Sequence, residues 1–422
     1  MSDDLQKTYR YGRLIFGILS LGYLLVYFHR LCPAVVAVDM MRDLNAGGAL
    51  TGFLAAAYFY PYALAQLPAG LLSDSWGPRN TITLFFAVAF LGSLLMGFAD
   101  SVFSAILGRA LVGLGVAMLF VPTMKILTEW FHAREFAPMT GILMAMGGVG
   151  SLCAATPLAW ISSRIGWRFS FVIIGVFTLL LAILVWCFVR NRPADMGLPS
   201  PSSSLKAQSP PIPLKEAVRK TLTCLWFWPL AIWFFFDCAI FFSFGGLWGG
   251  PYLMQIYGLS KAASARILSM LAIGMIVGSP LLSFLSNNVF RARKPVIVIS
   301  AFIVLCLTGL LAFYTEKIPI PGLYLLCLGL GIFSSAVVVI GFTMNKELFP
   351  VQMTGTAAGL LNLFPFAGGA VFQPVLGYLL EQQGKTGDAF SLAGYQNAFL
   401  ALFLCGVIAW VSSFFLRETM KK

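Results

Sequence analysis

Charge is scarce in this chain. Asp, Glu, Lys and Arg make up 10% of its 422 residues, against roughly 25% in soluble domains, while 59% of the residues are hydrophobic. A soluble fold of this length cannot hide that much apolar surface. Histidine is nearly absent, with two residues, and neither stands with Ser and Asp as a triad would require. No Cys/His spacing fits a metal, and no glycine loop would cradle a phosphate. An enzyme, a metal or cofactor site and an ATP-driven pump are therefore not expected. The eight cysteines lie within or at the ends of apolar stretches, where thiols behave as small hydrophobes, so no disulfide framework is expected. Segments of about ten residues with alternating polarity, the mark of a membrane β-barrel, are also missing.

What the chain does have is long apolar runs. A helix needs about 20 such residues to cross the hydrocarbon core. Twelve stretches meet this: 14–38, 49–71, 80–99, 103–127, 138–161, 168–189, 223–247, 262–285, 294–314, 321–343, 353–380 and 394–416. The N-terminus shows no short apolar region followed by a small-residue cleavage site, so the first stretch should be retained. Nineteen of the 28 Lys and Arg residues fall on the side carrying both termini. Seven fall on the other, and Arg30 and Arg109 lie within spans. The positive-inside rule then puts both termini in the cytoplasm. The net charge of +12 reads as topology, with some attraction to anionic lipid, and not as a nucleic-acid site.

One long connection, 190–222, divides the ladder into six spans (1–189) and six (223–422). It is rich in Pro and Ser, from Pro193 through Ser202, Ser203 and Ser204 to Pro213, which favours extended chain. Lys215 to Lys220 can begin a short surface helix. Met139-Thr140-Gly141 and Met353-Thr354-Gly355 open the fifth and eleventh spans 214 positions apart, and a similar offset aligns Leu44 with Leu259. Parallel six-helix repeats of this kind are a transporter architecture with its site between the repeats.

After the second span the chain reads Gly70-Leu-Leu-Ser-Asp74-Ser-Trp-Gly77-Pro-Arg79-Asn80. This resembles the signature loop of the major facilitator superfamily, G-x-x-x-D-x-x-G-x-R-[KR], with Asn80 in the last basic position. Arg109-Ala-Leu-Val-Gly113-Leu-Gly115 resembles that family's R-x-x-x-G-x-G element. The resemblance covers the whole chain. It implies an all-α membrane protein of two pseudo-symmetric six-helix bundles, and a loop that latches the outward-facing state. Gly70 and Gly77 permit a tight turn, and Asp74 can accept bonds from a helix N-terminus or from Arg79. The plainer reading makes Asp74 and Arg79 loop-capping charges. In the second half the equivalent loop is degraded, with Asn288, Arg291, Arg293 and Lys294 in its place. The fifth span, glycine-rich over Gly147, Gly148 and Gly150, lacks the GP-x-x-GG element of drug exchangers, which weighs against efflux.

Two charges stand at mid-span depth, Arg30 and Asp237, where a charge costs from a few to more than ten kcal/mol. Arg30 resembles the anion-binding arginine of organophosphate and organic-anion members of the superfamily. Its planar fork of donors suits carboxylate or phosphate; the alternative is that it snorkels or caps a carbonyl. Organophosphate members pair it with a basic residue in the seventh span, where this chain has an acid. That departure favours a monoanion or zwitterion. Asp237 follows Phe234, Phe235 and Phe236 and precedes Phe241, Phe242 and Phe244. Burial disfavours a charged carboxyl, so Asp237 is a candidate proton carrier, or else a static partner of Arg30. The repeat offset sets Arg30 opposite Phe244, which points to separate binding and proton sites.

Tyr58, Tyr62 and Gln66 recur at i, i+4 and i+8 on one helix face, and Asn362, Gln373 and Phe241 are further candidates for solute contact. Lys125 either meets an anion leaving the site or snorkels. Arg109 reads as structural or coupling, and His29 lies on a different face from Arg30. The expectation is a proton-coupled, alternating-access transporter of a small organic anion in a bacterial inner membrane. It would act as a monomer, with protons and lipid as its other partners. An exporter of amphipathic compounds and a non-transporting sensor on the same fold are the alternatives.

Overall fold

The computed structural model describes residues 3–200, 214–350, 353–386 and 389–420. These are helical nearly throughout; a short hairpin pairs Lys385–Thr386 with Ala389–Phe390. Ten helical runs among the described residues are long and apolar enough to cross a membrane. The run Pro138–Phe188 has 51 residues and would be about 76 Å long if straight, more than twice the hydrocarbon thickness. It folds back at Gly166, where φ is 79°, and so supplies the fifth and sixth spans. The second span, broken into Gly48–Ala56 and Phe59–Ser75, completes the twelve.

Several spans are interrupted where the apolar pattern runs on unbroken. The first, Asp3–Leu31, restarts after Cys32 as Pro33–Asp43; Pro33 has no N–H to donate and is favoured in the first turn of a helix. The seventh comprises Phe227–Ser243, a π-helical turn Phe244–Trp248 and Gly249–Gln255. The tenth comprises Ile320–Leu330, a π-helical turn Gly331–Ala336 and Val338–Leu348. The eleventh, Thr354–Gln382, contains Pro365 and Pro374. The Ser/Pro-rich centre of the linker (Pro201 to Pro213, with Lys206) lies outside the described residues, as do Lys421 and Lys422. Its flanks are ordered into a 3₁₀ turn, Pro193–Met196, and a helix, Leu214–Leu222, where the surface helix was expected.

Within the first half the first span packs on the fifth, and the third packs on the fourth and sixth. Within the second half the seventh packs on the eleventh and twelfth, and the ninth on the twelfth. The halves meet through the second and eleventh spans and through the fifth and eighth. One face of the molecule carries the 190–222 linker; the other is here called the far side. Contacts between the halves crowd the far side. Lys261 donates to Asp39 and to Ser162, Glu381 accepts from the Ala49 N–H at 3.1 Å, and Thr156 and Ser269 share a hydrogen bond of 2.9 Å. Gly48 and Gly377 bring their backbones together where any side chain would collide. Among the described residues, no cross-half hydrogen bond lies on the linker side of Asn362–Gln66. Among the described residues, the cross-half hydrogen bonds thus lie at mid-depth and on the far side.

Candidate functional site

The last turn of the Asp3–Leu31 helix carries Arg30 into the interface between the halves, where it is 5% exposed. Its guanidinium carbon lies 4.4 Å from the ring centre of Tyr27, 4.9 Å from Phe366, 5.2 Å from Tyr62 and 5.7 Å from Phe242. Tyr27 stands three residues before Arg30, on the same helix face, and Tyr62 comes from the second span. Phe242 and Phe366 come from the seventh and eleventh, so both halves build one box around one cation. The rings support each other: Tyr62 and Phe366 are 4.4 Å apart, Phe242 stacks on Phe366 at 6.0 Å, and Tyr58 stacks on Tyr62 at 5.5 Å.

Ring faces attract a guanidinium by roughly 0.5 to 2 kcal/mol each, but they do not replace hydrogen-bond acceptors. The Arg30 Nε–H has no partner, and no acid pairs with the side chain among the described residues. A buried guanidinium with a free Nε–H and no acid beside it can receive a carboxylate or phosphate.

Below the box the halves are joined by two amides. Asn362 donates to Gln66 Oε1 at 3.1 Å, and Gln66 Nε2 donates to the Tyr62 carbonyl at 3.2 Å. Above it Gln373 donates to the Phe242 carbonyl at 2.9 Å, beside the π-helical turn of the seventh span. Tyr58 is fully buried, with its hydroxyl donating to Val26 O at 3.3 Å. Phe241 packs edge-on against Phe242 at 5.6 Å; the ring over the cation is its neighbour's.

Asp237 does not join the box. It is fully buried, and its Oδ2 accepts from Ser334 Oγ of the tenth span at 3.1 Å. Phe242 stands five residues further on, about 140° around the helix, so the carboxyl and the box occupy opposite faces of the seventh span. Phe244, the repeat equivalent of Arg30, packs on Tyr252 and Phe399.

In the signature loop the turn is made by Gly77 alone, at φ 84°, a conformation open to glycine. Gly70 lies inside the Phe59–Ser75 helix. Asp74 pairs with Lys125 at 2.6 Å, and Lys125 also donates to Ser73 O. Arg79 instead stacks on Trp186 at 4.3 Å and donates to the Trp186 carbonyl. Arg109 is fully buried and donates to the His29 carbonyl at 2.8 Å, with its guanidinium 5.1 Å from the Tyr58 ring. Gly113 lies against the Tyr58 backbone with no room for a side chain.

Sequence reading missed Phe242, Phe366, Tyr27 and Ser334. Of these only Tyr27 carried a local signal, its spacing from Arg30.

The family model described as Major Facilitator Superfamily matches residues 19–372 and 238–422. A probable hexose phosphate transport protein of Chlamydia trachomatis serovar D is 22% identical over 96% of this chain and 91% of its own. The D-galactonate transporter of Escherichia coli O6:H1 is 25% identical over 89% and 90%. Among solved structures, a bacterial homologue of the human lysosomal transporter Spinster, inward-facing and unoccupied, superposes with a TM-score of 0.77 at 19% identity, covering 96% of each chain. Twelve spans in two bundles, the Gly77 turn and the matched family model lead to one conclusion: this chain belongs to the major facilitator superfamily.

Proposed function

We propose that this transporter takes up a small organic anion, a carboxylate or sugar acid, together with a proton. The observation that carries this reading is the Arg30 guanidinium, which has a free Nε–H and no acid partner and is buried in a ring box built by both halves. Relatives named as hexose phosphate and D-galactonate transporters handle anions, which supports an anionic solute. A single arginine, with an acid in the seventh span, favours one negative charge over two.

By the bias of Lys and Arg, the linker side and both termini face the cytoplasm, in a bacterial inner membrane. The side free of cross-half hydrogen bonds is then the inner one, which fits an inward-facing arrangement. Residues 1–189 and 223–422 rock about the box as rigid halves joined by 190–222, and the protein works as a monomer in lipid. The anion reaches Arg30 from outside, and Tyr58, Tyr62, Gln66, Asn362 and Phe241 line or support its path. Its release inward requires the Gln66–Asn362 bond to part. Asp237 carries the proton on the other face of the same helix, so the seventh span couples the two loads mechanically. The signature set Gly70, Asp74, Gly77, Arg79, Arg109 and Gly113 switches states; Asp74 leaves Lys125 when the loop latches the outward-facing form.

Proteoliposomes assayed with D-galactonate, D-glucuronate and glucose 6-phosphate, with and without an inward proton gradient, test this. Accumulation should need the gradient, and Asp237→Asn should retain solute counterflow while losing accumulation. Accumulation by Asp237→Asn would remove the coupling claim. Transport of amphipathic cations indifferent to Arg30→Ala would return the exporter reading.

A further inference from the structure

Among the described residues of the second half, several buried side chains present polar atoms without a hydrogen-bond partner, and three of them stand together: Asp237 (Oδ1), Trp233 (Nε1) and Asn345 (both amide atoms). They lie along one seam. The seventh and tenth spans run antiparallel, and Ser334 of the tenth sits on Asp237 of the seventh. One turn toward the linker side, the Trp233 and Phe234 rings lie against Gly341, where a Cβ would meet them. Asn345 follows one turn later on the Gly341 face, three residues from the end of the Val338–Leu348 helix. Gly341 and Asn345 thus fall at i and i+4 on one face of the Val338–Leu348 helix, and Ser334 precedes them in the π-helical turn. Asp237 to Trp233 and Gly341 to Asn345 are each four residues, about 6 Å of rise along the helix axis.

Such groups are costly inside a membrane unless something answers their hydrogen bonds. Buried waters normally do so, each making about three bonds to otherwise unsatisfied polar groups. A π-helical turn, a common mark of functional positions, holds Ser334 in place. The box lies on the opposite face of the seventh span, with Arg30 the charge across it, and Ser334 is the carboxyl's hydrogen-bond partner on this face.

We propose that a file of water runs along the seam between the seventh and tenth spans, from the linker side past Asn345 and Trp233 to Asp237, and conducts its proton separately from the solute path. This rests on the reading of Asp237 as proton carrier. In the inward-facing state the carboxylic acid gives its proton to the nearest water. Each water passes one proton onward, and the last releases hydronium to the linker side, leaving the carboxylate. Asn345 and Trp233 hold the waters and are not themselves ionised.

The test needs no solute. Reconstituted protein is subjected to a pH jump, and the infrared band of the protonated carboxyl, assigned by its loss in Asp237→Asn, is followed in time. Asn345→Leu and Trp233→Phe should each slow the band's exchange tenfold or more without changing its final amplitude, and Asn345→Ser should restore the rate. Wild-type rates in the Leu and Phe variants would overturn the water file while leaving Asp237 as carrier. A band that persists in Asp237→Asn would instead overturn the carrier reading. Trp233→Phe keeps an aromatic ring without the N–H and reads the same step should Asn345→Leu fail to fold.

Discussion

Arg30 holds its place by four ring contacts and no hydrogen-bonded acid, so charge and shape contribute separately to what it binds. Arg30→Lys keeps the charge and loses the fork and the flat face that stacks on rings. Anion affinity measured by titration calorimetry should fall tenfold or more, about 1.4 kcal/mol. Equal affinity in the lysine variant would mean that the fork makes no bidentate contact. The residue was legible because a charge at mid-span depth is rare. Its cage was less so: Tyr62 and Phe366 touch across 304 positions of sequence, and nothing in either segment announces the other. Phe242 was not singled out, because a run of adjacent phenylalanines does not reveal which ring faces the partner helix. Asp237 was readable as a buried acid, but Ser334, 97 residues away, was not readable as its partner.

Among the elements, the far-side ends carry the contacts that hold the observed state. Asp39 of the first span meets Lys261 of the eighth, so Asp39→Asn should raise the far-side-open population. Spin-label distances across the far side would report it as a second, longer distance, and an unchanged distribution would show that the backbone contact of Gly48 with Gly377 suffices alone. Asp43, at the end of the Pro33–Asp43 helix, ties that end to the turn between the fifth and sixth spans. Its carboxyl accepts from Trp167 and Arg168 at 3.0 Å each. Burial alone would raise it, but bonds from Trp167 and Arg42 and the charges of Arg42 and Arg168 outweigh that and hold it below its ordinary value. A depressed carboxyl stabilises the fold above its unfolded value, and that contribution is lost as pH falls through the folded value. Thermal melts across that acid range should therefore fall less steeply in Asp43→Asn than in the wild type. The difference should be under about 1 kcal/mol, because the pair is partly exposed; parallel slopes would show the tie to be idle. Spans and the Gly77 turn could be read from hydropathy and glycine placement. The π-helical turns could not, since they leave the apolar pattern unchanged.

At the scale of the molecule, the repeat seen in sequence has a structural counterpart. Gly141 and Gly355, members of the two Met-Thr-Gly triplets, both open onto free space on the linker side. Composition was enough for the membrane class, and the spacing of the apolar runs for the twelve spans. The conformational state was invisible in sequence, since it depends on which ends of the halves touch. The site sits where the halves meet, so a bound solute should favour the state in which all four rings surround it. The most direct test is thermal stability of the purified protein against a panel of carboxylates, phosphate esters, amino acids and cationic drugs, in the wild type and in Arg30→Ala. A ligand that binds only the folded state raises stability by RT ln(1 + [L]/Kd). Dose-dependent stabilisation by monoanions that disappears in Arg30→Ala is the predicted result; stabilisation by cations or lipophiles that is indifferent to Arg30 would contradict it.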